Sequence, residues 1–441
     1  MRLLPIPPGM ETEAFVMDSG ALRDVPELVR RCFQSRRPWI VADDNTWKAA
    51  GSALFGILKT AGLAPHEPFI FPAVPMIHAD NALTPRLTDA MPFDCVPVSV
   101  GGGTINDLVK RASAVTRHRY LCVPTASSVD GYTSYGAAMT DNGLKKTLPC
   151  LAPLAVAADT DVLKAAPAPM AASGYADLAA KVAGGADWVI ADELGIEPIR
   201  ADVWELVQKD LRKWISDPSD IGAIFLGLAA TGYSMQMYRE SRPASGAEHM
   251  ISHLWEMENL EFNGVPVSHG FKVGIGTLAS TALMEWLFNG HDAAWARANA
   301  RPPRTESERR AEVDGLLSRG CYGAKTGEIA MGKFLSGEAL AARRELIFAH
   351  WDALAKRTAD CLIPFDTLKS MFRAASCPVV PAEIGLDAAQ FEHGILAAQL
   401  IRNRYTVLDV LDELGLLREA ADAVTLRMAG NARASVAAVR G

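Results

Sequence analysis

Short apolar runs alternate with stretches of helical period in the first third of the chain. Clusters of β-branched and apolar residues predict strands; these runs cover residues 38–43, 67–75, 96–100, 120–123 and 154–158. Helical patterns separate the strands, as at 46–61 and 106–115. This alternation predicts a parallel Rossmann-like sheet with helices on its faces. Ligands of such sheets bind beyond the carboxyl ends of the strands.

The pattern changes after about residue 165, where strand-like runs give way to helical ones. These later helical patterns cover residues 176–184, 203–215, 247–256, 338–357 and 388–417. The proline-rich segment 165–169 suits a linker, because proline interrupts helices. The sequence therefore predicts an α/β domain at residues 1–164, followed by an all-helical domain at 165–441.

Charge and hydropathy narrow the class of protein. The chain has 441 residues and a formal net charge of −7, which argues against general binding of nucleic acids or anionic membranes. Its longest apolar runs are shorter than the ~20 residues of a spanning helix, and early prolines interrupt any signal-peptide core. Seven scattered cysteines without a CxxC pair disfavour a thiolate zinc site or a disulfide framework. We expect a cytoplasmic protein that does not insert into membranes.

A glycine-rich turn follows the third predicted strand, with the sequence SVGGGTIND at residues 99–107. Glycines at such a turn let backbone N–H groups approach a pyrophosphate, and the following helix N-terminus favours negative charge. The turn does not match GxGxxG, and three glycines alone are a weak signal. A plain turn remains an alternative.

A hydroxyl-rich segment, VPTASSVDGYTS at residues 123–134, follows the fourth predicted strand. Its hydroxyls could donate to a phosphate or bond a nicotinamide, and Asp130 could accept from a substrate hydroxyl. Serine, aspartate and glycine are also ordinary turn residues, so a capped turn is an alternative.

Three histidines lie within 21 residues in the helical part of the chain. His249 and His253 are spaced i and i+4 and share one helix face, and His269 follows. A carboxylate would complete a metal site, and Asp177 lies among small and apolar residues, where a buried carboxylate needs a compensating cation. An exposed helical position for Asp177, and satisfied core or surface histidines, remain alternatives.

Taken together, these segments resemble the sn-glycerol-1-phosphate dehydrogenases, in the iron-containing alcohol dehydrogenase and dehydroquinate synthase-like superfamily. Seven segments, in the family's order, carry the resemblance: GGGTINDL at 101–108, VPTASSVDGYTS at 123–134, LAPLAVAADTDVL at 151–163, SGYADLAAK at 173–181, SGAEHMISH at 245–253, SHGFKVGIGTL at 268–278 and RNRYTVLDVLDELGLL at 402–417. The last is similar to the C-terminal helix of the bacterial branch.

The resemblance implies a dehydroquinate synthase-like fold, with an NAD(P)-binding domain followed by a metal- and substrate-binding one. It implies interconversion of dihydroxyacetone phosphate and sn-glycerol 1-phosphate by hydride transfer at C2. It assigns cofactor binding to Gly102, Gly103, Thr104, Asp107, Thr125, Ser128 and Ser134. It assigns Asp177, His249 and His269 to the metal, and Asp130, Asp177 and His253 to the substrate.

Some roles follow from chemistry beside the resemblance. Three protein ligands leave metal positions open, as in catalytic sites, and His253 suits a proton relay because imidazoles exchange protons near neutral pH; we expect His253 and Asp130 to be catalytic. Asp43 or Asp44, at the end of the first predicted strand, could bond the adenosine ribose or repel a 2′-phosphate, which favours NAD over NADP. Lys145 and Lys146 could meet a phosphate, although a solvated turn explains them equally well.

Several alternatives stay open. The ligand set suits Zn²⁺, Ni²⁺ or Fe²⁺. A dehydrogenase for glycerol or another alcohol, or a dehydroquinate synthase-type cyclase, would fit the same superfamily. The expected partner is a small molecule, and the resemblance suggests a homodimer.

Overall fold

The computed structural model describes residues 1–34, 36–141, 144–320, 322 and 325–429. The strands of this part of the chain are β1 Ala14–Asp18, β2 Arg37–Asp43, β3 Phe69–Phe71, β4 Cys95–Gly101, β5 Leu121–Pro124, β6 Ala137–Asp141, β7 Leu144–Leu148, β8 Ala155–Asp159, β9 Glu261–Phe262 and β10 Val265–Pro266.

Helices make up most of the remainder. They are α1 Val25–Phe33, α2 Asp44–Thr46, α3 Ser52–Thr60, α4 Thr84–Ala90, α5 Gly103–Thr116, α6 Thr160–Ala165, α7 Ala168–Ala179, α8 Lys181–Glu193, α9 Ala201–Gln208, α10 Leu211–Trp214, α11 Ile221–Tyr238, α12 Ala247–Met257, α13 His269–Phe288, α14 Ala293–Asn299, α15 Glu306–Leu317, α16 Thr326–Gly332, α17 Gly337–Ala349, α18 Trp351–Cys361, α19 Phe365–Ala374, α20 Ala388–Ala398, α21 Val407–Leu414 and α22 Leu417–Met428. Short 3-10 turns lie at Ala21–Asp24, Asn81–Leu83, Arg242–Ala244 and Pro381–Ile384, and a π-helical turn at Trp47–Gly51.

Six strands form one parallel sheet in the order β1-β8-β5-β4-β2-β3. The central strands β4, β5 and β8 are buried along their whole length, because helices cover both faces of a parallel sheet. All five predicted strands are present, which confirms the predicted α/β fold with a mostly helical remainder. Strand β1, which follows a proline-rich start, was not predicted.

The chain packs as two compact units. Unit 1 comprises Met1–Leu178 and Lys209–Ser241, and unit 2 comprises Ala179–Gln208 and Arg242–Gly441. The parallel sheet and the antiparallel hairpin β6–β7 belong to unit 1, and unit 2 is helical apart from the two-residue strands β9 and β10. The units reflect packing alone, and the division at 164/165 into functional domains stays a prediction.

Four of the five predicted helical patterns are wrong as continuous helices: 176–184 spans α7 and α8, 203–215 spans α9 and α10, 338–357 spans α17 and α18, and 388–417 spans α20 and α21. The widest interruption is in 388–417. Helix α20 ends at Ala398 and α21 begins at Val407. Thr406 and Asp409 form a capping box at the start of α21, with the Thr406 N–H donating to Asp409 Oδ2 at 2.8 Å. Such a box satisfies the free N–H groups at the start of a helix. A new helix therefore begins after Thr406, and residues 399–406 form the loop that precedes it.

Across the described ranges, no helix is both long enough and apolar enough to cross a membrane.

Helix α7 approaches the loop after β5 through a glycine. A Cβ built on Gly174 would lie 1.7 Å from the carbonyl oxygen of Ser127 and 3.1 Å from Cα of Ser128. Both neighbours are backbone atoms, which cannot rotate away as a side chain can. Only glycine fits here, and this close approach fixes the hydroxyl-rich loop against α7.

We predict that Gly174→Ala lowers the free energy of unfolding by about 1–3 kcal/mol, because overpacking forces backbone shifts. The matched control is Gly56→Ala in α3, where an added Cβ meets nothing within 4 Å. Alanine favours a helix interior over glycine by about 1 kcal/mol, so this control should be neutral or stabilising. Urea denaturation measures both, and equal effects of the two variants would contradict the packing argument.

Candidate active site

The glycine turn, Gly101–Gly103, joins the end of β4 to the start of α5. A Cβ on Gly101 would lie 2.5 Å from Ile105 Cβ, and one on Gly103 would lie 2.8 Å from Val129 Cγ2. At Gly102 the nearest atom would be Met170 Cε, at 3.6 Å. Local packing therefore explains why residues 101 and 103 are glycines. Gly102 has no such close neighbour, so its backbone can be approached by a ligand. Thr104 and Asp107 lie partly buried in the first two turns of α5.

The hydroxyl loop, residues 125–134, begins at the end of the neighbouring strand β5. Its first N–H, of Thr125, donates to the Gly101 carbonyl at 3.1 Å, which joins this loop to the glycine turn. Thr125, Ser128 and Ser134 are all buried. The structure thus brings the predicted cofactor residues of both segments to one edge of the sheet in unit 1, as parallel strand ends require.

A buried lysine, which the sequence did not reveal as functional, fastens the hydroxyl loop. Lys110 on α5 is fully buried, and its Nζ donates to the carbonyls of Gly131 (2.8 Å), Ser134 (3.0 Å) and Gly136 (3.0 Å). It also contacts Ser134 Oγ at 3.0 Å. Burial lowers the pKa of this lysine. The hydrogen bonds from Lys110 Nζ hold residues 131–136 in place.

Asp43 lies at the carboxyl end of β2. Its Oδ1 accepts from the N–H (2.8 Å) and Oγ1 (3.1 Å) of Thr46, so Asp43 caps the short helix α2. The predicted contact of Asp43 with a ribose stays a prediction.

Asp177 is a buried carboxylate. The alternative prediction, an exposed helical position for this residue, is wrong. The residue lies on α7 with no exposed surface. Its Oδ2 accepts from the backbone N–H of Asp130 at 3.0 Å. The two predicted substrate residues of unit 1 are therefore adjacent, and a hydrogen bond fixes the turn of the hydroxyl loop that carries Asp130.

Unit 2 brings the three predicted histidines together into a histidine cluster. His249 and His253 lie one turn apart on α12, and Ser268 caps α13 so that His269 occupies its first position. The ring centroids of His249 and His269 are 5.5 Å apart, and both lie 5.9 Å from that of His253. Helical spacing and one cap thus suffice to assemble the cluster.

Two of these imidazoles are held by carboxylates. Glu248 is fully buried, and its Oε1 lies 2.8 Å from His249 Nδ1 while also accepting from the Gly246 N–H at 2.7 Å. Glu256 Oε1 lies 2.6 Å from His269 Nδ1. A carboxylate accepts from N–H, so each pair places the proton on Nδ1 and leaves the Nε2 lone pair for another ligand.

The sequence prediction did not include either glutamate, although each lies close to a predicted histidine in the sequence. Glu248 immediately precedes His249, and Glu256 follows His253 by three residues on the same helix. A partner that fixes the tautomer is common for metal-binding histidines.

Candidate metal donors of unit 2 also include His253, Glu256 and His269, whose ligand atoms lie within 4.8 Å of one another. Lys272 Nζ lies 3.6 Å from Glu256 Oε1. This ammonium disfavours a cation on Glu256, so the glutamate is better explained as the partner of His269 and Lys272.

Asp187 on α8 joins the start of α12 to the start of α21. Its carboxylate oxygens accept from the N–H groups of Ala247 (2.6 Å) and Val407 (2.7 Å). Burial, and then the negative charge of Glu248, raise the pKa of Asp187 to about 7. The helix that carries His249 is therefore anchored by a carboxyl group that titrates near neutral pH.

The fold has known counterparts. The glycerol dehydrogenase of Schizosaccharomyces pombe has a TM-score of 0.56 at 15% identity, covering 96% of this chain and 91% of that one. A sulfoacetaldehyde reductase from Bifidobacterium kashiwanohense has a TM-score of 0.54 at 13% identity, covering 96% and 99%. Identities this low show the fold alone.

Sequence comparison is more specific. Residues 16–167 match the family model of the iron-containing alcohol dehydrogenases. The glycerol-1-phosphate dehydrogenase (NAD(P)+) of Geobacillus stearothermophilus is 30% identical over 386 residues, covering 85% of this chain and 86% of that relative. The enzyme of the same name from Geobacillus thermodenitrificans is 36% identical over 267 residues, a match that spans 55% of this chain and 63% of that relative.

The chain therefore belongs to the glycerol-1-phosphate dehydrogenase family, within the iron-containing alcohol dehydrogenase superfamily. The predicted family and the predicted class, an oxidoreductase of the alcohol dehydrogenase type, are confirmed.

The raised pKa of Asp187 generates a prediction about stability. Its unfolded-state pKa is about 4, so between pH 4 and 7 the folded protein keeps a proton that the unfolded chain has lost. The free energy of unfolding must therefore fall as the pH rises through this window. Relative to Asp187→Asn, the parent protein should lose about 2 kcal/mol between pH 5 and pH 8.

Urea denaturation at the two pH values measures this difference, and exposed Asp352→Asn is the control. A difference between parent and Asp187→Asn that is constant or rises with pH would show that the carboxyl is ionised throughout.

Proposed function

We propose that the protein is a metal-dependent, NAD(P)-linked sn-glycerol-1-phosphate dehydrogenase. It interconverts dihydroxyacetone phosphate and sn-glycerol 1-phosphate by hydride transfer at C2. The observation that carries this proposal is the pair of imidazoles, His249 and His269, each fixed by a carboxylate in unit 2. The substrate follows from the names of relatives that align over most of the chain.

The donor chemistry fits a divalent metal. His249 and His269 direct their Nδ1 protons at glutamates, so both can offer Nε2 to a cation. We assign the third ligand to Asp177, whose fully buried carboxylate is best compensated by a positive charge. Two imidazoles and one carboxylate suit Zn²⁺, Ni²⁺ or Fe²⁺. A bound metal would supply Lewis-acid polarisation of the carbonyl group that is reduced.

The turn at the sheet edge fits a dinucleotide. Gly102 presents backbone without a side chain, and the first turn of α5 favours the negative charge of a pyrophosphate. Gly103, Thr104 and Asp107 continue this surface, and the buried hydroxyls of the loop after β5 support it. We assign cofactor binding to these residues and to Asp43, with NAD or NADP as the hydride carrier.

We assign the transfer of the substrate proton to His253. Burial, and then the charge of Arg402, lower the pKa of His253 well below its usual value. The imidazole is therefore neutral at physiological pH. In the oxidising direction it accepts the proton of the C2 hydroxyl, and in the reducing direction it returns that proton. We assign Asp130, whose N–H donates to Asp177, to bind a substrate hydroxyl.

A cytoplasmic location, a homodimer and a small-molecule substrate complete the proposal. The homodimer rests on the resemblance alone.

The test is NADH oxidation by purified protein reconstituted with Zn²⁺ or Ni²⁺. Dihydroxyacetone phosphate should be turned over about 100-fold more efficiently than dihydroxyacetone, because a site built for a charged group rejects the analogue that lacks it. His249→Ala and Asp177→Ala should each lose metal and most activity, whereas His350→Ala, at a partly exposed ion pair with Glu193, should retain both.

Equal use of dihydroxyacetone would favour a glycerol or alcohol dehydrogenase, and full activity in both ligand variants would refute the metal site. Cyclisation of a phosphorylated keto acid without net NADH consumption would indicate a dehydroquinate synthase-type enzyme.

A further inference from the structure

Unit 2 contains a cavity that is lined by none of the residues assigned to the metal, the substrate or the cofactor. Its volume is about 240 Å³. The residues around it belong to α15, α17, the end of α16 and the junction of α21 with α22. Six cations line it: Arg301, Arg304, Arg309, Lys333, Arg344 and Arg418. So many positive charges in one place need compensation, and each cation can be matched with its carboxylate.

Five of the six cations form ion pairs with carboxylates of the same unit. The pairs, with N–O distances of no more than 3.9 Å, are Arg301 with Glu419, Arg304 and Arg309 with Glu312 and Asp412, Lys333 with Asp409, and Arg418 with Glu392. Five cations thus face five carboxylates, and their charges balance.

Arg344 on α17 is the sixth cation, and it forms no ion pair in the described part of the chain. Its Nε donates to the backbone carbonyl of Glu413 at 2.6 Å, and its Nη groups have no hydrogen-bond partner among the described residues. The carboxylate of Glu413 is engaged elsewhere, because Arg343 Nη1 lies 3.0 Å from its Oε1 and the Tyr405 hydroxyl donates to its Oε2 at 2.5 Å. The cavity therefore has one positive charge that no carboxylate balances.

Hydrogen bonds fix Arg344 beside Arg304 at the C-terminal end of α21. Arg304 Nη2 donates to the carbonyl of Asp412 at 3.3 Å, and Arg344 Nε donates to the carbonyl of the next residue, Glu413. The last carbonyls of a helix have no partner within it and attract cations. Burial, and then the charge of Arg304, lower the pKa of Arg344. An anion bound to Arg344 would relieve the repulsion between these two guanidinium groups.

Four leucines form an apolar part of the same cavity: Leu316, Leu335, Leu340 and Leu396. Leu340 precedes Arg344 by one helical turn on α17, so both side chains lie on one helix face. Burial of an aliphatic group against such a surface is favourable. The cavity is smaller than the roughly 300–1,000 Å³ of pockets for drug-sized ligands. Its shape and chemistry thus suit a small molecule with one charged end and one aliphatic end.

We propose that this cavity binds a short aliphatic carboxylate. The carboxylate accepts two parallel hydrogen bonds from the Nη groups of Arg344, and its alkyl chain packs against the leucines. A single negative charge balances the one unpaired guanidinium, whereas a phosphate dianion would leave an unbalanced negative charge. Because the cavity exists only in the folded protein, the ligand stabilises the folded state. This site is separate from the proposed function, and its test does not depend on turnover.

Calorimetric titration of the metal-loaded protein with hexanoate tests the role of Arg344. Arg344→Gln should bind hexanoate about 10–100-fold more weakly than the parent, the range expected for lost hydrogen bonds to a charged group. Arg344→Lys should be intermediate, because it keeps the charge and loses the two parallel donors. The matched control is Arg373→Gln, since Arg373 is an exposed arginine of the same unit that pairs with Glu383 and does not line the cavity. This control should bind hexanoate like the parent.

Other ligands separate the charged end from the aliphatic end. Hexan-1-ol lacks the charge and should bind at least about 10-fold more weakly than hexanoate. Inorganic phosphate lacks the alkyl chain and should also bind more weakly. Leu335→Ser, at a half-buried position of the cavity wall, should weaken the binding of hexanoate because it removes apolar contact area. A carboxylate can also bind a metal, so the titration is repeated on the metal-free protein, where the affinity should be unchanged.

Several results would overturn the site. They are a parent that does not bind hexanoate, equal affinities of the parent and Arg344→Gln, equal affinities for hexanoate and hexan-1-ol, and tighter binding of inorganic phosphate than of hexanoate. Loss of hexanoate binding on removal of the metal would assign the ligand to the metal centre instead. Thermal unfolding checks that each variant folds, and NADH oxidation by Arg344→Gln should equal that of the parent. If Arg344→Gln does not fold, Arg344→Lys decides the question.

Discussion

Two buried or partly buried carboxylates, Glu248 and Glu256, hold the imidazoles of His249 and His269, and the proposed chemistry depends on this constraint. Glu248 has no exposed surface, and its Oε1 contacts both His249 and the Gly246 N–H. A buried carboxylate is costly unless its oxygens are satisfied. The hydrogen bonds of Oε1 offset part of this cost and fix which nitrogen of His249 carries the proton, whereas Oε2 is buried without a hydrogen-bond partner among the described residues. The same arrangement recurs at His269, with Glu256 as the partner.

The surrounding helices make this arrangement rigid. Asp187 accepts from the first N–H groups of both α12 and α21, so the helix that carries His249 and helix α21 share one anchor. Glycines allow the close packing around Glu248, since a Cβ on Gly184 would lie 2.9 Å from its Oε1. In unit 1, Lys110 and Gly174 have a comparable role for the hydroxyl loop. Each unit therefore presents its candidate residues on a fixed frame, as catalysis requires.

Much of the fold was predictable, because strand and helix periods are local properties of the sequence. The five predicted strands and the helical remainder followed from them, as did the shared face of His249 and His253. The loop at 399–406 did not, because the capping box of Thr406 and Asp409 starts a new helix and Lys333 binds the carbonyls of Gln399 and Arg404. The role of Lys110 depends on carbonyls 21 to 26 residues away along the chain, which no single segment reveals.

The central claim is that Glu248 prepares His249 to bind a metal. The most direct measurement is the zinc affinity of the apoprotein, by competition with a chelator, for the parent, Glu248→Gln and the exposed control Glu338→Gln. An amide can donate as well as accept, so it no longer fixes the tautomer, and Glu248→Gln should bind zinc about 10–100-fold more weakly. The control should bind like the parent. Unchanged affinity in a correctly folded Glu248→Gln would contradict the account.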